Sequence, residues 1–296
     1  FTVCAGNAVP VYIVTNFYKI LSISFHGVKY TLSFSRQNRN TAQILTNGNA
    51  NSVVVVHGWN SNGNAQASLR NAFLDASDCN VIVLDWRDVA SSNYVSAVLG
   101  VPNVGQFLGN FLNWLISTAG GNWNNVHLVG VSLGAHVVGN AGRHKFILTG
   151  LDPAGPLWHG NSRALRYNDG QYVEAIHTDG GLLGINNPIG NANFYPNGGR
   201  NPQPGCGDSN CSHSRAVQFF DATVRFNHLV GRLCSNLNQA NENQCTGSNF
   251  NMGNNILSKR GWYVQSNSMH SICLFLIWPS WIWTMWFCTG GITSWI

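Results

Sequence analysis

Short apolar runs separated by polar turns recur along the first two thirds of the chain. Three runs near its start, Val9–Val14, Ile20–Phe25 and Tyr30–Phe34, follow one another closely and predict antiparallel strands at one edge of a sheet. Val53–Val56 and Val81–Leu84 are instead uninterrupted and rich in β-branched residues. Runs of this kind are typical of central parallel strands that are buried on both faces.

Apolar residues at helical spacing lie between these strands. Leu69, Ala72 and Phe73 predict one helix, and a second is predicted by Phe107, Leu108, Phe111, Leu112 and Leu115. Further strands are predicted over residues 126–131, 146–151 and 172–177. Because strands alternate with helices and no repeat or linker is visible, we predict one α/β domain with a mostly parallel central sheet and helices on both faces.

The strand over residues 126–131 leads into the sequence Gly130-Val131-Ser132-Leu133-Gly134. This is the pattern of a nucleophile elbow, in which glycines two positions before and after the serine let strand and helix pack closely. Such a turn raises the Ser132 hydroxyl above the sheet, and the helix N-terminus behind it favours developing negative charge. In a chain with 32 glycines, the alternative is a buried serine in a glycine-rich turn.

A serine nucleophile needs a base to take its proton and an acid to orient that base. Asp152 directly follows the strand predicted after the elbow helix, and His213 opens a later helix beside a cysteine. Because the C-terminal ends of parallel strands line one crevice, we expect Asp152 to lie close to Ser132. The alternatives are a turn or cap residue for Asp152 and a surface-loop residue for His213.

The composition narrows the class of protein. Of 296 residues, 44% are hydrophobic, which supports a large core, whereas only 9% are charged. The formal charge of +5 includes no basic run, so nucleic-acid binding is not supported. Eight cysteines favour disulfides and an oxidising compartment. The chain begins at Phe1 without a visible signal peptide, as a processed or truncated chain does, and we expect a secreted, extracellular protein.

Seven motifs follow one another in order between about residues 10 and 265: Val55–Trp59, Leu84–Trp86, Gly130–His136, Gly150–Ala154, Ile176–Gly180, Phe194–Gly199 and Cys211–His213. Together they resemble the pancreatic-lipase family, most closely its insect neutral lipases and venom-type phospholipases A1. The resemblance implies an α/β-hydrolase catalytic domain that cleaves acyl esters of lipids and needs no cofactor.

The resemblance assigns a role to individual residues of these motifs. It implies Ser132 as the nucleophile, His213 as the general base and Asp152 as the acid that orients the base. It also implies an oxyanion hole formed by two backbone N–H groups, those of Leu133 and Trp59. Core packing at a strand end is an alternative role for Trp59, compatible with the first because only its N–H is needed.

The chain departs from the large lipases at the loops that cover the site. Their disulfide-bounded lid corresponds here to Cys206 and Cys211 with only four residues between them, and segment 180–196 is also short. Within the family, reduced covering loops accompany phospholipase A1 or galactolipase activity. We therefore predict an open, phospholipase A1-like site. The alternatives are a triacylglycerol lipase and, in another class, a non-catalytic lipid-binding or storage protein.

The predicted pairing of the cysteines rests on the resemblance alone. It implies three disulfides: Cys4–Cys79, Cys206–Cys211 and Cys234–Cys245. A rival interpretation, in which Cys206, Cys211 and His213 bind a metal ion, needs a fourth ligand of suitable spacing, and none stands out.

The stretch that aligns with the family's calcium site also differs from it. It keeps Arg166 and Asp169 but has Arg163 and Asn168 where acidic ligands are expected. Calcium prefers several oxygen ligands, usually including carboxylates. We therefore predict no metal.

The likeness ends near residue 268, which divides the chain into a catalytic domain (residues 1–268) and an apolar, tryptophan-rich tail (residues 269–296). The tail is short for a membrane span and is interrupted by Pro279. It is interpreted as an interfacial foot, a membrane anchor or an error in the gene sequence. The chain stops where large lipases continue into a β-sandwich, so we expect no colipase as partner. The resemblance implies a lipid substrate, phospholipid or acylglycerol, at a membrane or emulsion surface, and nucleic acid is not expected.

Overall fold

The computed structural model describes residues 12–14, 19–25, 28–36, 51–119, 121–142, 145–253 and 261–265. The strands are β1 (Tyr12–Val14), β2 (Lys19–Phe25), β3 (Val28–Arg36), β4 (Ser52–Val56), β5 (Asn80–Asp85), β6 (Val126–Val131), β7 (Ile147–Leu151), β8 (Tyr172–Ile176), β9 (Ala192–Tyr195), β10 (Val230–Cys234), β11 (Asn249–Asn251) and β12 (Gly261–Gln265). The helices are α1 (Ala67–Ala76), α2 (Arg87–Ala90), α3 (Tyr94–Ala119), α4 (Leu133–Gly142), α5 (Ser209–Phe226) and α6 (Leu237–Asn241).

All these strands form one sheet in the order β1-β2-β3-β5-β4-β6-β7-β8-β9-β12-β10-β11. Its centre, from β5 to β12, is parallel. Both edges are antiparallel. The predicted α/β fold with a mostly parallel centre is therefore confirmed, and so are the antiparallel strands at the N-terminal edge. The opposite edge, formed by β10, β11 and β12, was not predicted.

The central strands separate two hydrophobic cores. Alternate side chains such as Val54 and Leu128 pack with α3 and α4 on one face. Their neighbours Val55 and Val129 pack with α1 and α5 on the other. Period-two alternation therefore fills both faces, which is why these runs are apolar throughout. The predicted helices on both faces are confirmed.

Helix α3 is longer than its predicted counterpart. The periodic residues 107–115 indicated only its second half, whereas the helix begins at Tyr94 and continues through Pro102. Gly100 and Pro102 are residues that normally weaken a helical prediction. The helix is supported there by burial of Ala97, Val98 and Val101 in the core.

Two of the three implied disulfides are present. Cys206 is bonded to Cys211, and Cys234 to Cys245. Cys79 is a buried thiol, and its expected partner Cys4 lies outside the described residues. Residues 266–296 also lie outside them, so the division into domain and tail stays a prediction. None of the helices within the described ranges has the length and hydropathy that a membrane span requires.

A buried histidine ties α4 to the segment that follows β7. His136 is fully buried and stacks on Trp158, with ring centroids 3.9 Å apart. Its Nδ1 accepts from the Leu165 N–H at 3.0 Å, so Nε2 carries the proton and donates to Ala154 O at 2.9 Å. Burial lowers the pKa of His136 to about 3. The ring is therefore neutral in the folded protein.

Glycines allow the turn from β6 into α4. A Cβ at Gly134 would lie 2.6 Å from His57 O, and a Cβ at Gly130 would lie 2.5 Å from Ala135 N. Both distances are too short for real atoms, so strand and helix can approach only without these side chains.

We expect the stability of the fold to decrease between pH 7 and pH 5 because of His136. Below its ordinary pKa of about 6.5 the unfolded chain binds a proton there that the folded chain does not, so the stabilisation is complete above that pH and falls as the pH drops. The expected contribution is about 2 kcal/mol of unfolding free energy. Urea unfolding at several pH values should show a shallower pH dependence for His136→Gln. Equal slopes would contradict this account.

Gly134→Ala should destabilise the protein by about 3 kcal/mol, because its methyl group overlaps the backbone after β4. Gly207→Ala is the matched control, since a Cβ there meets no atom within 4 Å. Urea unfolding measures both. A loss for Gly134→Ala no larger than that of the control would show that the close approach is not required.

Candidate active site

Ser132 lies in a strained turn at the end of β6. Its φ of 55° is in the left-handed region, which serine rarely adopts outside tight turns. Its N–H donates to Leu151 O at 2.9 Å, and its carbonyl accepts from the Ala135 and Ala154 N–H groups at 3.1 and 3.3 Å. Several backbone bonds therefore hold the unfavourable conformation. The turn between strand and helix matches the predicted elbow.

The His57-Gly58-Trp59 segment lies directly against this turn. A Cβ at Gly58 would lie 2.9 Å from the Ser132 Cβ and 3.5 Å from its Oγ. Only a glycine fits between the two segments, so the backbone after β4 passes within contact distance of the serine side chain. Of the two residues implied for the oxyanion hole, Leu133 follows Ser132 in the chain and Trp59 follows Gly58, which contacts Ser132.

Asp152 follows β7 and is fully buried. Its Oδ1 accepts from the Thr178 and Asp179 N–H groups at 2.7 and 3.1 Å. Its Oδ2 lies 2.5 Å from His213 Nδ1. Because a carboxylate offers only acceptors, Nδ1 carries the proton, and Nε2 faces away as the nitrogen able to accept another. Asp152 lies in a bend with a φ of 40°, and its carboxylate binds the His213 ring and the backbone after β8.

His213 is held by the start of α5. Asp208 caps this helix, its carboxylate accepting from the Cys211 N–H at 2.7 Å, and the Cys206–Cys211 disulfide ties the first turn to the preceding loop. The His213 side chain is 17% exposed, so it is accessible yet fixed. It lies in a helix and not in a surface loop, and the structure brings it onto Asp152 at the strand ends that carry Ser132.

Sequence reasoning gave no role to a second buried carboxylate, that of Asp179. Its Oδ2 accepts from the Leu183 N–H at 2.9 Å and from the Ser209 hydroxyl, while its buried Oδ1 has no hydrogen-bond partner among the described residues. Burial raises the pKa of Asp179. Its position three residues after β8, close to the place of Asp152 after β7, is the signal that could have revealed it.

Among the described residues, Asp152, Asp179 and His213 are the one trio whose ligand atoms lie close enough together, within 4.8 Å, to hold a metal ion. Two of those atoms, Asp152 Oδ2 and His213 Nδ1, already form a hydrogen bond with each other. These two residues therefore have the geometry of an acid–base pair. The rival metal site at Cys206 and Cys211 does not fit, because their sulfurs form a disulfide and are not thiolates.

The stretch that aligns with the family's calcium site, for which we predicted no metal, has contacts of its own. Asp169 Oδ2 accepts from the Arg166 N–H at 2.9 Å, and Arg166 Nε lies 3.9 Å from Asp169 Oδ1. The absence of a metal here stays a prediction.

Trp59 is 44% exposed, so its side chain is not part of the core. Its indole N–H donates to Ser92 O at 2.8 Å, and its ring meets Tyr94 edge to face at a centroid distance of 5.4 Å. The alternative role of core packing is therefore wrong. Leu133, by contrast, is fully buried as the first residue of α4.

Of the four residues between Cys206 and Cys211, Asp208 caps α5, and Ser209 and Asn210 begin its first turn. They are occupied in holding the helix that carries His213. They therefore provide no loop long enough to extend across the strand ends, as the spacing of the two cysteines predicted.

Several known proteins are similar to this chain in sequence. The family model described as Lipase matches residues 29–276. Lipase member H-A of Xenopus laevis is 34% identical over 73% of this chain and 53% of its own length. Hepatic triacylglycerol lipase of Oryctolagus cuniculus is 35% identical over 66% and 46%, and phospholipase A1 of Vespa velutina is 37% identical over 58% and 64%.

The chain spans about half the length of the first two of these relatives. The family match nevertheless takes in the elbow at Ser132, the acid at Asp152 and the histidine at His213, together with the sheet that positions them. The chain therefore belongs to the lipase family.

Proposed function

We propose that the protein is an extracellular hydrolase of lipid acyl esters, with Ser132 as nucleophile, His213 as general base and Asp152 as orienting acid. The observation that carries the proposal is the hydrogen bond between Asp152 and His213 beside the strained turn of Ser132. A buried acid, a partly accessible histidine and a serine in a tight turn are the parts that acyl transfer requires.

The reaction runs in two halves. His213 Nε2 takes the proton of the Ser132 hydroxyl as its oxygen attacks the acyl carbon, and the carbonyl oxygen gains negative charge opposite the Trp59 and Leu133 N–H groups. The ester bond then breaks, and His213 gives its proton to the departing alcohol. A water molecule repeats the sequence on the acyl-enzyme, releasing the fatty acid and restoring Ser132. Asp152 keeps Nδ1 protonated throughout.

Exposed apolar side chains near the site support a lipid surface as the partner. Large hydrophobic residues are rarely left exposed together in a soluble protein, and such groups mark interaction surfaces. Here they are between 44% and 73% exposed. We call them the apolar rim: Trp59, Val95, Leu99, Leu157 and Leu182.

Short contacts link the segments that carry the apolar rim. The Trp59 ring meets Tyr94, whose hydroxyl donates to Pro156 O at 2.8 Å. The Gly155 N–H donates to Leu183 O at 2.7 Å, which joins the next loop. The helix start, the segment after β7 and the loop after β8 therefore present neighbouring surfaces around the serine.

Leu157 adds a second argument for this surface. Its φ of 66° is unfavourable for leucine, yet its side chain is 56% exposed and gains little from burial. Backbone strain that is not offset by burial of the side chain points to a functional use of that exposed side chain.

A phospholipase A1 preference is supported by the short Cys206–Cys211 segment and by the similarity to phospholipase A1 of Vespa velutina. Triacylglycerol cleavage is the second candidate, favoured by the similarity to hepatic triacylglycerol lipase of Oryctolagus cuniculus. A non-catalytic lipid-binding role is disfavoured because serine, histidine and acid are all present.

The disulfides support an extracellular location. Independence from colipase stays a prediction.

The purified protein should release fatty acid from phosphatidylcholine vesicles, and Ser132→Ala should reduce the rate by at least about 10⁴-fold because no other group supplies the nucleophile. Titration of released acid, with a triacylglycerol emulsion in parallel, separates the candidates. Cleavage of triacylglycerol alone would replace the phospholipase assignment. Lipid binding without serine-dependent hydrolysis of either would favour the non-catalytic role.

Charged residues introduced into the apolar rim should slow hydrolysis at lipid surfaces without slowing hydrolysis of a soluble ester. The double variant Leu99→Asp/Leu182→Asp should lose about tenfold or more in activity on vesicles, since each leucine contributes about 2 kcal/mol on burial in lipid. Hydrolysis of soluble p-nitrophenyl butyrate should be unchanged.

Phe226→Asp is the matched control for this variant. Phe226 is 61% exposed but lies about 20 Å further along α5 than His213. It should behave as the unaltered protein on both substrates. Equal losses on vesicles and on the soluble ester, or the same loss for Phe226→Asp, would exclude the apolar rim as the contact surface.

A further inference from the structure

His57 precedes the oxyanion segment and is fully buried, yet it takes part in no proton transfer of the proposed reaction. We infer that His57 is a positioning residue: its hydrogen bond to the Gly58 carbonyl turns the Gly58–Trp59 peptide so that the Trp59 N–H faces the developing oxyanion. This inference rests on the proposed function and identifies what organises that same site.

The proton on Nδ1 of the His57 ring follows from the group that this nitrogen meets. Nδ1 lies 2.9 Å from Gly58 O, and a carbonyl oxygen can only accept, so Nδ1 carries a proton. Nε2 has two neighbours, the Trp86 N–H at 3.0 Å and Asp85 Oδ1 at 3.3 Å. With either partner at Nε2, the ring donates from Nδ1 to Gly58 O.

Contacts with the end of β5 fix this ring in place. The Trp86 ring stacks on it at a centroid distance of 5.5 Å and an angle of 20°, and the Trp86 indole N–H donates to His57 O at 2.8 Å. Asp85 Oδ1 lies 3.3 Å from Nε2, and the Asp85 carboxylate is itself bound by Arg87 and by the Gly63 N–H. The donor at Nδ1 therefore has a defined direction.

The geometry of the Gly58–Trp59 peptide relates the direction of the Gly58 carbonyl to that of the Trp59 N–H. The Gly58 carbonyl and the Trp59 N–H belong to one planar trans peptide and point in opposite directions. Fixing the carbonyl oxygen towards His57 therefore turns the N–H away from it. Within the described part of the chain, this N–H donates to no protein group. Gly58, which supplies the carbonyl of this peptide, packs against the Ser132 side chain, so the peptide that follows it lies next to the nucleophile's turn.

A purely structural histidine would make a different prediction. It would affect folding, or all steps alike, whereas a residue that aims one oxyanion donor acts chiefly on the transition state and leaves the KM nearly unchanged. The two possibilities are separated by a pair of variants of similar shape. Asn can donate from a position close to that of Nδ1, while Leu cannot donate at all.

The experiment compares His57→Asn and His57→Leu with the unaltered protein on p-nitrophenyl butyrate. It also measures the inhibition constant of an alkyl trifluoromethyl ketone. Ser132 Oγ adds to the carbonyl carbon of this ketone, the serine proton passes to His213, and the carbonyl oxygen becomes an oxyanion. We expect His57→Leu to lower kcat about 100-fold with KM within about threefold, and to weaken the ketone by a similar factor. His57→Asn should recover about tenfold of each loss.

His127→Phe is the matched control, a histidine replaced elsewhere on the sheet. His127 is near the start of β6 and bonds to Thr149 Oγ1 at 2.8 Å, far from the turn at Ser132. It should retain the kcat and the ketone affinity of the unaltered protein. If His57→Leu does not fold, as judged by thermal unfolding, His57→Phe takes its place because it keeps the volume of the ring.

Equal kcat losses for the Asn and Leu variants, or a kcat loss without weaker ketone inhibition, would overturn the role of His57. Failure of the proposed function has a different signature. In that case the unaltered protein shows no hydrolysis that depends on Ser132, whatever residue 57 is.

Discussion

The site depends on one steric constraint, the close approach of three backbone segments at the C-terminal end of the central strands. The segment after β4, the turn after β6 and the first turn of α4 meet where glycines at positions 58, 130 and 134 leave room for them. Any side chain at these positions would separate strand, turn and helix. Because the segments touch, the φ of Ser132 stays in the left-handed region and its side chain stands clear of the sheet.

This crowding places the polar groups where little water reaches them. Asp152 is buried, and the backbone N–H groups of residues 178 and 179 satisfy one of its oxygens while His213 satisfies the other. A carboxylate without such donors would be costly to bury. The buried carboxylate is therefore compensated, and its hydrogen bond fixes the orientation of His213, the proposed general base.

The central strands and the elbow were predictable because their signals are local. The apolar run Val53–Val56 indicates a buried strand, and the glycine spacing around Ser132 indicates a tight turn; each signal needs only a few neighbouring residues. The far edge of the sheet was not predicted, since its short strands depend on partners distant in sequence. Asp179 was missed for a related reason: its place next to His213 arises only when β8 and α5 come together. The role inferred for His57 likewise needs the directions of its two ring nitrogens, which no motif records.

The Cys206–Cys211 bond also has a consequence for how such proteins can diversify. Its two Cα atoms are 5.4 Å apart, and beyond the second cysteine the helix already holds the histidine. The chain between the two sulfurs therefore begins and ends at fixed points, whatever its length. The entropy cost of closing a loop grows only slowly as residues are added. A loop of another length can therefore be inserted between the two cysteines while His213 and Asp152 keep their places, provided that the Asp208 cap and the first turn of α5 are retained.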